Sequence, residues 1–331
     1  MHDTAGWRDE AATRSLLRGW RRVGAIDAAT SARAQAALGG DPSPAQWRGF
    51  LDRLALWLGV ALLAAGAICF IAANWDEMGK FLRLYGLQAV LVLAVVGAAW
   101  LGLSRLAGQA VLWLAMVLLG GLLALIGQTY QTGADTWELF ALWAALSLPW
   151  VLAGRHAALW LTWALLLNVA LTLWLDLGRA WSMLLATNEE LLATGLLNAL
   201  LLLAWELAGT RWPEFSGRVG RRLLTFAMIA LLAFAAMDDI FGRDRGLHVG
   251  VWCWLAMTLV AGFCFLRLRR DLPVLAMLML GVIAVVTSAL AEFVFSGKET
   301  AFEMLMLAVA VIAQGTAAAF VLRRLARGEA A

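Results

Sequence analysis

The chain has 331 residues, of which 63% are hydrophobic and only 15% charged, and its mean hydropathy is +0.79. Soluble domains are about 45–50% apolar and about 25% charged, so the composition excludes an ordinary soluble protein. A net charge of +3 would favour a nucleic-acid ligand in a soluble protein. Here the basic residues gather in the loops between apolar segments, and we predict no nucleic-acid partner.

Residues 1–50 differ in composition from the rest and are predicted to form a cytosolic helical hairpin with a linker. Trp7 to Val23 is amphipathic, and Gly24 suits the C-cap of this helix. Asp27 suits the N-cap of a second helix, Ala28 to Leu38. The Arg-rich face of the hairpin has three interpretations: contact with anionic lipid headgroups, docking of a protein, or a solvated surface. No cleavable signal peptide is expected, because the N-terminus begins no apolar stretch.

Residues 51–331 are predicted to form an all-α transmembrane domain, a polytopic bundle of about ten helices. The apolar runs are about 20 residues long, the length that crosses a bilayer core of roughly 30 Å. Many of the 18 tryptophans lie near the ends of these runs, where an interfacial aromatic belt is expected. The runs lie at approximately 54–73, 82–103, 107–127, 137–153, 156–176, 189–209, 222–237, 248–267, 272–294 and 302–322.

The distribution of Lys and Arg predicts the direction of each crossing. With the N-terminus in the cytoplasm, cytoplasmic segments hold 20 of the 26 basic residues and outer segments hold six. This asymmetry has the sign of the positive-inside rule. A missed or extra helix would place the basic loops 211–222 and 267–270 on opposite sides. We therefore predict ten membrane-spanning helices with both termini in the cytoplasm.

Acidic residues show the opposite bias, and thirteen of them lie on or near the predicted outer side. Solvation of short loops is one explanation. An outer vestibule that attracts cations or docks a basic partner is the other.

Residues 127–138, which we call the polar turn, form a dense polar patch between two long apolar runs. Asp135 or Thr136 can cap the helix that follows it, and Glu138 suits the first turn of that helix. Gln128 and Gln131 need a different explanation, because an unpaired amide at membrane depth costs a few kcal/mol. Such amides either bond across helices or line a ligand pocket. The candidate outer polar pocket comprises Asn74, Trp75, Asp76, Gln128, Tyr130, Gln131, Trp137 and Glu138.

Further polar residues fall within or near the ends of apolar runs: Asn168, Asn198, Glu206 and Glu292. Polar groups inside a membrane are functional candidates by default, although Glu206 can be satisfied locally by Arg211. The three cysteines fall inside apolar runs without metal-ligand spacing and are predicted to be buried. The three histidines are scattered over the N-terminus and two loops, and no catalytic motif is present. We therefore predict no metal, no cofactor and no catalytic residue, and consider an enzyme the less favoured class.

Three segments carry a family resemblance. They are the turn Gly24–Asp27, the run end Ile71–Asp76, and Gly127–Gln131 followed by Trp137-Glu138 and Leu148–Trp150. On these residues the chain resembles the bacterial predicted membrane proteins grouped as domain of unknown function 2157, over roughly residues 10–155. The resemblance implies a multi-pass inner-membrane protein of uncharacterised activity with an N-terminal cytosolic segment. No catalytic residue can be assigned to this chain from the resemblance.

Two functions are compatible with these features. The first is a non-enzymatic scaffold or sensor in an envelope complex, with the lipid bilayer and other membrane or envelope proteins as partners. The second is a transporter of a small molecule or an ion with a 5+5 helix arrangement. A carrier needs a continuous polar path, so Asn168, Asn198 and Glu206 should face the same interior as Gln128. The identity of any small ligand stays open.

Overall fold

The computed structural model describes residues 16–17, 19–21, 23–37, 44–74, 77–175, 188–242, 248–268, 271–294 and 301–328. Within these ranges every regular element is helical, which confirms the all-α class. The chain divides into two compact units, residues 1–59 with residues 323–331, and residues 60–322.

The described α-helices are α1 Ala28–Ala37, α2 Pro44–Ala73, α3 Lys80–Leu101, α4 Leu106–Tyr130, α5 Thr136–Gly154, α6 Ala157–Leu175, α7 Asn188–Ala208, α8 Arg218–Phe241, α9 Val249–Phe263, α10 Leu272–Val294 and α11 Ala301–Gly328. A 3₁₀ turn, Pro213–Phe215, precedes α8, and α9 continues as a π-helical turn, Cys264–Leu268.

Ten of these helices, α2 to α11, are long and apolar enough to cross a membrane, as the hydropathy predicts. Their outward surfaces are apolar: the side chains of Trp100 and Phe293 are both 85% exposed. Such surfaces are stable next to lipid and would aggregate in water. Cys69 lies on such a surface and is exposed, so the prediction that it is buried is wrong.

The described part of the N-terminal unit contains the predicted turn between two helical segments. Gly24 has a positive φ of 74°, and the Ala25 N–H donates to the Trp20 carbonyl at 2.9 Å, as in a Schellman cap. The Asp27 carboxylate accepts a hydrogen bond from the Thr30 N–H at 2.9 Å and so caps α1. Hydrogen bonding to Thr30 holds the pKa of Asp27 below its ordinary value. Both predicted caps are therefore confirmed.

Helix α2 begins earlier than the apolar run predicts. It runs without a break from Pro44, a residue favoured in the first helical turn, to Ala73. Thirty residues span about 45 Å, whereas the bilayer core is roughly 30 Å thick. The first turns of α2, which carry Arg48 and Arg53, therefore extend beyond the apolar core, and the expected linker is shorter than residue 50 implies.

The second unit is built around two central helices. Helix α4 packs against α3 and α5, and helix α8 packs against α7, α9 and α10; contacts of α6 with α5 and α7 join the two groups. We call the end that carries the turns 102–105, 155–156 and 209–217 the basic end of the bundle. The acidic end carries the turn 131–135 and residues 188–190 and 238–242.

Tryptophans connect α4, α5 and α6. The indole N–H of Trp113 donates to the Thr162 hydroxyl at 2.8 Å, and that of Trp143 donates to the Met116 carbonyl at 2.7 Å. Trp163 likewise donates to the carbonyl of Ala144 at 3.0 Å. These three tryptophans are therefore packing residues between helices rather than members of an interfacial belt.

Small residues bring the helices of the second group close to α8. A Cβ placed on Gly250 of α9 would lie 2.6 Å from the Ala235 carbonyl oxygen of α8. A Cβ on Gly281 of α10 would lie 2.8 Å from the Ile229 side chain. Membrane helices associate through such close packing, because lipid is as apolar as the side chains it would replace.

The contact at Gly250 leads to a stability prediction. In Gly250→Ala the new methyl group meets backbone, which cannot rotate away, so α9 has to move from α8. We expect a loss of about 1–3 kcal/mol, the usual cost of overpacking. The measurement is the unfolding midpoint of the detergent-purified protein.

Gly262→Ala is the matched control, because Gly262 lies on the same helix and its Cβ position has no neighbour within 4 Å. Equal midpoints for the two variants would contradict the assigned contact.

Candidate functional site

The polar turn ends α4 and begins α5. Helix α4 stops at Tyr130 because Gln131 adopts the left-handed conformation, with φ 46°, and Gly133 also has a positive φ, 67°. Asp135 occupies the N-cap position of α5, and its carbonyl accepts the Glu138 N–H at 3.0 Å. The Asp135 side chain makes no capping hydrogen bond, so capping here uses backbone alone.

The candidate pocket residues of the polar turn form an exposed surface. Gln128, Gln131 and Glu138 are exposed, and the side chain of Tyr130 is 58% exposed. Trp137 is half-buried. The mixture of amide, phenol and carboxylate offers hydrogen-bond donors and acceptors together.

Two buried polar atoms of the same turn have no hydrogen-bond partner among the residues that the structure describes. They are the Thr129 hydroxyl oxygen and the Trp137 indole nitrogen. A buried polar atom that lacks a hydrogen bond costs about 1–3 kcal/mol. The polar turn therefore retains unsatisfied polar groups as well as exposed ones.

The remaining candidates near this turn are not drawn into it by any described contact. The Asn74 side chain donates to the Phe70 carbonyl of its own helix at 2.7 Å. Trp75 and Asp76 lie outside the described residues. Whether these three residues form one pocket with Gln128 stays a prediction.

Asn168 and Asn198 meet between α6 and α7. The Asn198 side-chain NH₂ donates to the Asn168 carbonyl oxygen at 2.6 Å, and the reverse bond measures 3.5 Å. Each NH₂ also donates to a backbone carbonyl one turn earlier, at Ala164 and Thr194 respectively. Asn198 is only 2% exposed. The two amides thus satisfy each other at the helix interface.

Glu206 forms an ion pair with Arg221 of α8, rather than with Arg211 as its spacing suggests. Arg221 is 9% exposed, so the pair lies largely inside the bundle at the basic end. Glu292, in contrast, is exposed near the end of α10. Of the intramembrane polar candidates, Asn168 and Asn198 therefore bond each other, Glu206 is paired with Arg221, and Glu292 is exposed.

A cavity of about 540 Å³, which the sequence did not predict, lies at the basic end between α5, α6, α7 and the 3₁₀ turn. Five of its thirteen lining residues are aromatic, and Phe215 is central among them: its ring centroid lies 4.9 Å from that of Trp205 and 5.1 Å from that of Trp160. Trp163 and Trp212 complete the aromatic wall. A sequence signal existed in the spacing of Trp160 and Trp163, which places both on one helix face.

One charged pair borders this cavity. The Arg155 Nε donates to the Glu214 carboxylate at 3.1 Å. The Glu214 side chain is 9% exposed, whereas that of Arg155 is 59% exposed. Arg155 is held at the C-cap of α5 with φ 47°. The pair therefore combines a buried carboxylate with a guanidinium that reaches the surface.

His156 caps the helix that follows. Its Nδ1 accepts the Ala158 N–H at 3.1 Å, which requires an unprotonated Nδ1. Burial lowers the pKa of His156 from its ordinary value of 6.5. Among the ranges that the structure describes, no group of three or more His, Cys, Asp or Glu residues is arranged to hold a metal ion.

A pH dependence follows from His156. Because its pKa is lower in the folded protein, the unfolded chain binds more protons below pH 6.5, and stability falls as the pH falls. We expect the unfolding midpoint to drop between about pH 8 and pH 5, and part of this drop to vanish in His156→Asn, which can cap without titrating. An unchanged pH profile in His156→Asn would contradict the assignment.

The chain was compared with known proteins and structures. Residues 18–160 match the family model described as predicted membrane protein (DUF2157). Neither curated proteins nor solved structures gave a match. The matched range includes α1 to α5 and the whole polar turn, whereas α7 to α11 lie beyond it. Over residues 18–160, which are 143 of the 331 residues, the chain is therefore similar to this family of predicted membrane proteins.

Proposed function

We propose that this protein is a non-enzymatic scaffold or sensor component of a bacterial inner-membrane complex. Both termini face the cytoplasm, residues 1–50 act as the cytosolic handle, and the polar turn is the outer surface that binds a partner. The observation that carries the proposal is the polar turn itself, which combines exposed Gln128, Tyr130 and Gln131 with the unpartnered buried atoms of Thr129 and Trp137. A partner that supplies hydrogen bonds here would remove a cost that the isolated chain bears.

The intramembrane polar groups favour a scaffold over a carrier. Asn168 and Asn198 satisfy each other, and Glu206 is paired with Arg221. None of these described contacts connects to Gln128 on α4. A carrier needs polar groups that face a common path and exchange their partners with a substrate.

Contacts at the basic end support the proposed topology. Arg155 pairs with Glu214, and Arg222 pairs with Asp271 at 3.0 Å. Both pairs join segments that the positive-inside rule assigns to the cytoplasm. At the acidic end, the Asp239 carboxylate accepts the Val251 N–H at 3.1 Å, which joins two segments assigned to the outer side.

The polar turn is tested by complex formation in native membranes. We expect Tyr130→Ala combined with Gln131→Ala to shift the protein from a larger assembly to its own mass on native gels. Loss of the exposed phenol and amide removes partner contacts, whereas no described hydrogen bond or ion pair of the bundle uses these side chains. Ser104→Ala combined with Arg105→Ala, at the exposed turn of the opposite end, is the control.

The outcome is decisive in either direction. Equal migration of both double variants and the wild type would contradict a docking role for the polar turn. A cysteine placed at exposed Ala134, in a chain freed of its own cysteines, should react with a membrane-impermeant thiol reagent from outside. Labelling only from the cytoplasmic side would reverse the topology.

The carrier alternative predicts that water reaches Asn198. In the scaffold, Asn198→Cys in the same cysteine-free chain stays unreactive towards a hydrophilic thiol reagent, because the position is 2% exposed and packed between helices. The Ala134→Cys chain is the positive control. Labelling at position 198, in a protein that still elutes as a single folded species, would favour a carrier.

A further inference from the structure

The aromatic cavity at the basic end differs from the polar turn in place and in chemistry. Its walls are formed by Trp160, Trp163, Trp205 and Phe215, with small residues such as Ala204 between them. A volume of about 540 Å³ falls within the roughly 300–1,000 Å³ of small-molecule pockets, which are mainly apolar with a few placed polar groups.

The polar groups at this cavity select one end of such a ligand. The Arg155 side chain uses Nε for its described bond to Glu214, and its terminal nitrogens have no other partner among the described residues. A guanidinium with free N–H groups binds phosphate or carboxylate oxygens in a bidentate manner. Arg211, next to Trp212 of the cavity wall, is also exposed and adds positive charge. The cavity therefore combines an apolar interior with a cationic edge.

The position of the cavity relative to the membrane favours a lipid over a free phosphate ion as its ligand. The cavity lies where α5 and α7 end and α6 begins, at the level where acyl chains meet headgroups. Tryptophan walls are typical of that level. A molecule with an acyl chain and an anionic headgroup can enter from the bilayer with its charge directed towards Arg155, whereas a free phosphate ion would leave the aromatic interior empty.

We propose that this cavity is a binding site for an anionic lipid, with an acyl chain against Phe215 and its tryptophan neighbours and the headgroup phosphate at Arg155. Glu214 holds the guanidinium in place through Nε and leaves its outer edge to the lipid. The site does not depend on the proposed scaffold function, and either can fail alone.

The test is a lipid titration of the detergent-purified full chain, followed by native mass spectrometry. Phosphatidylglycerol is the anionic probe, and phosphatidylcholine with the same acyl chains is the zwitterionic probe. We expect the wild type to retain phosphatidylglycerol preferentially. Ala204→Trp, which fills the cavity from α7, should weaken retention about tenfold or more, as the loss of a buried apolar contact does. Leu203→Trp is the control, because Leu203 is exposed on the same helix and lies outside the cavity wall.

The headgroup contact is tested by a second pair of variants. Arg155→Gln combined with Glu214→Gln removes both charges, so no uncompensated carboxylate remains. We expect the preference for phosphatidylglycerol over phosphatidylcholine to fall about tenfold, as when a charged hydrogen bond is lost. Arg105→Gln, an exposed arginine at the same end, should leave the preference unchanged.

Several results would overturn the proposal. Equal lipid retention by Ala204→Trp and Leu203→Trp would show that the cavity is not the site. Equal retention of the two lipids by the wild type would contradict the proposal that Arg155 selects an anionic headgroup. Binding of inorganic phosphate that Arg155→Gln with Glu214→Gln abolishes, without lipid retention, would assign a free anion instead.

Discussion

Close approach at glycine is the constraint on which the packing around α8 depends. In water, the burial of apolar surface drives helices together. In lipid that driving force is absent, and the strength of helix association depends on how closely the helices pack. Gly250 and Gly281 each leave room for a part of α8, namely the Ala235 carbonyl and the Ile229 side chain. In the first group the indole of Trp143 occupies the space beside Gly120 in the same way. One central helix can therefore hold three neighbours through close packing along its length, with its ion pairs and the Asp239 hydrogen bond near its ends.

The same lack of water explains where polar side chains are found. A polar group inside the bundle bonds its own helix, as the Thr225 hydroxyl does, or a neighbouring helix. Asn168 with Asn198 shows the second case, two amides that satisfy each other. Charges follow the same rule, because Glu206 lies against Arg221. The polar turn and the aromatic cavity depart from this arrangement. Among the described residues, the buried Thr129 hydroxyl and Trp137 indole nitrogen of the turn have no hydrogen-bond partner, and neither do the indole nitrogens of Trp160 and Trp205 in the cavity wall. The two sites lie at opposite ends of the bundle.

Much of the fold follows from the sequence, because a run of about 20 apolar residues has few alternatives to a membrane helix. The number of spans and the caps at Gly24 and Asp27 are of this kind, since each depends on local chemistry. The start of α2 does not follow from hydropathy. Arg48 and Arg53 lie before the apolar run, yet the helix already includes them. The cavity does not follow either, since a tryptophan at a run end looks the same whether it lies at the interface or lines a pocket. Pairing of Asn168 with Asn198 depends on the rotation of two helices, which hydropathy does not report.

The central position of α8 has a consequence for how the protein is made. Helices leave the ribosome in chain order, so α7 enters the membrane before the helix that covers its buried face. Until α8 arrives, the amide of Asn198 has α6 as its described partner, and that contact can hold α7 in the meantime. Assembly can thus proceed in two stages, with the Asn168–Asn198 contact retaining α7 between them.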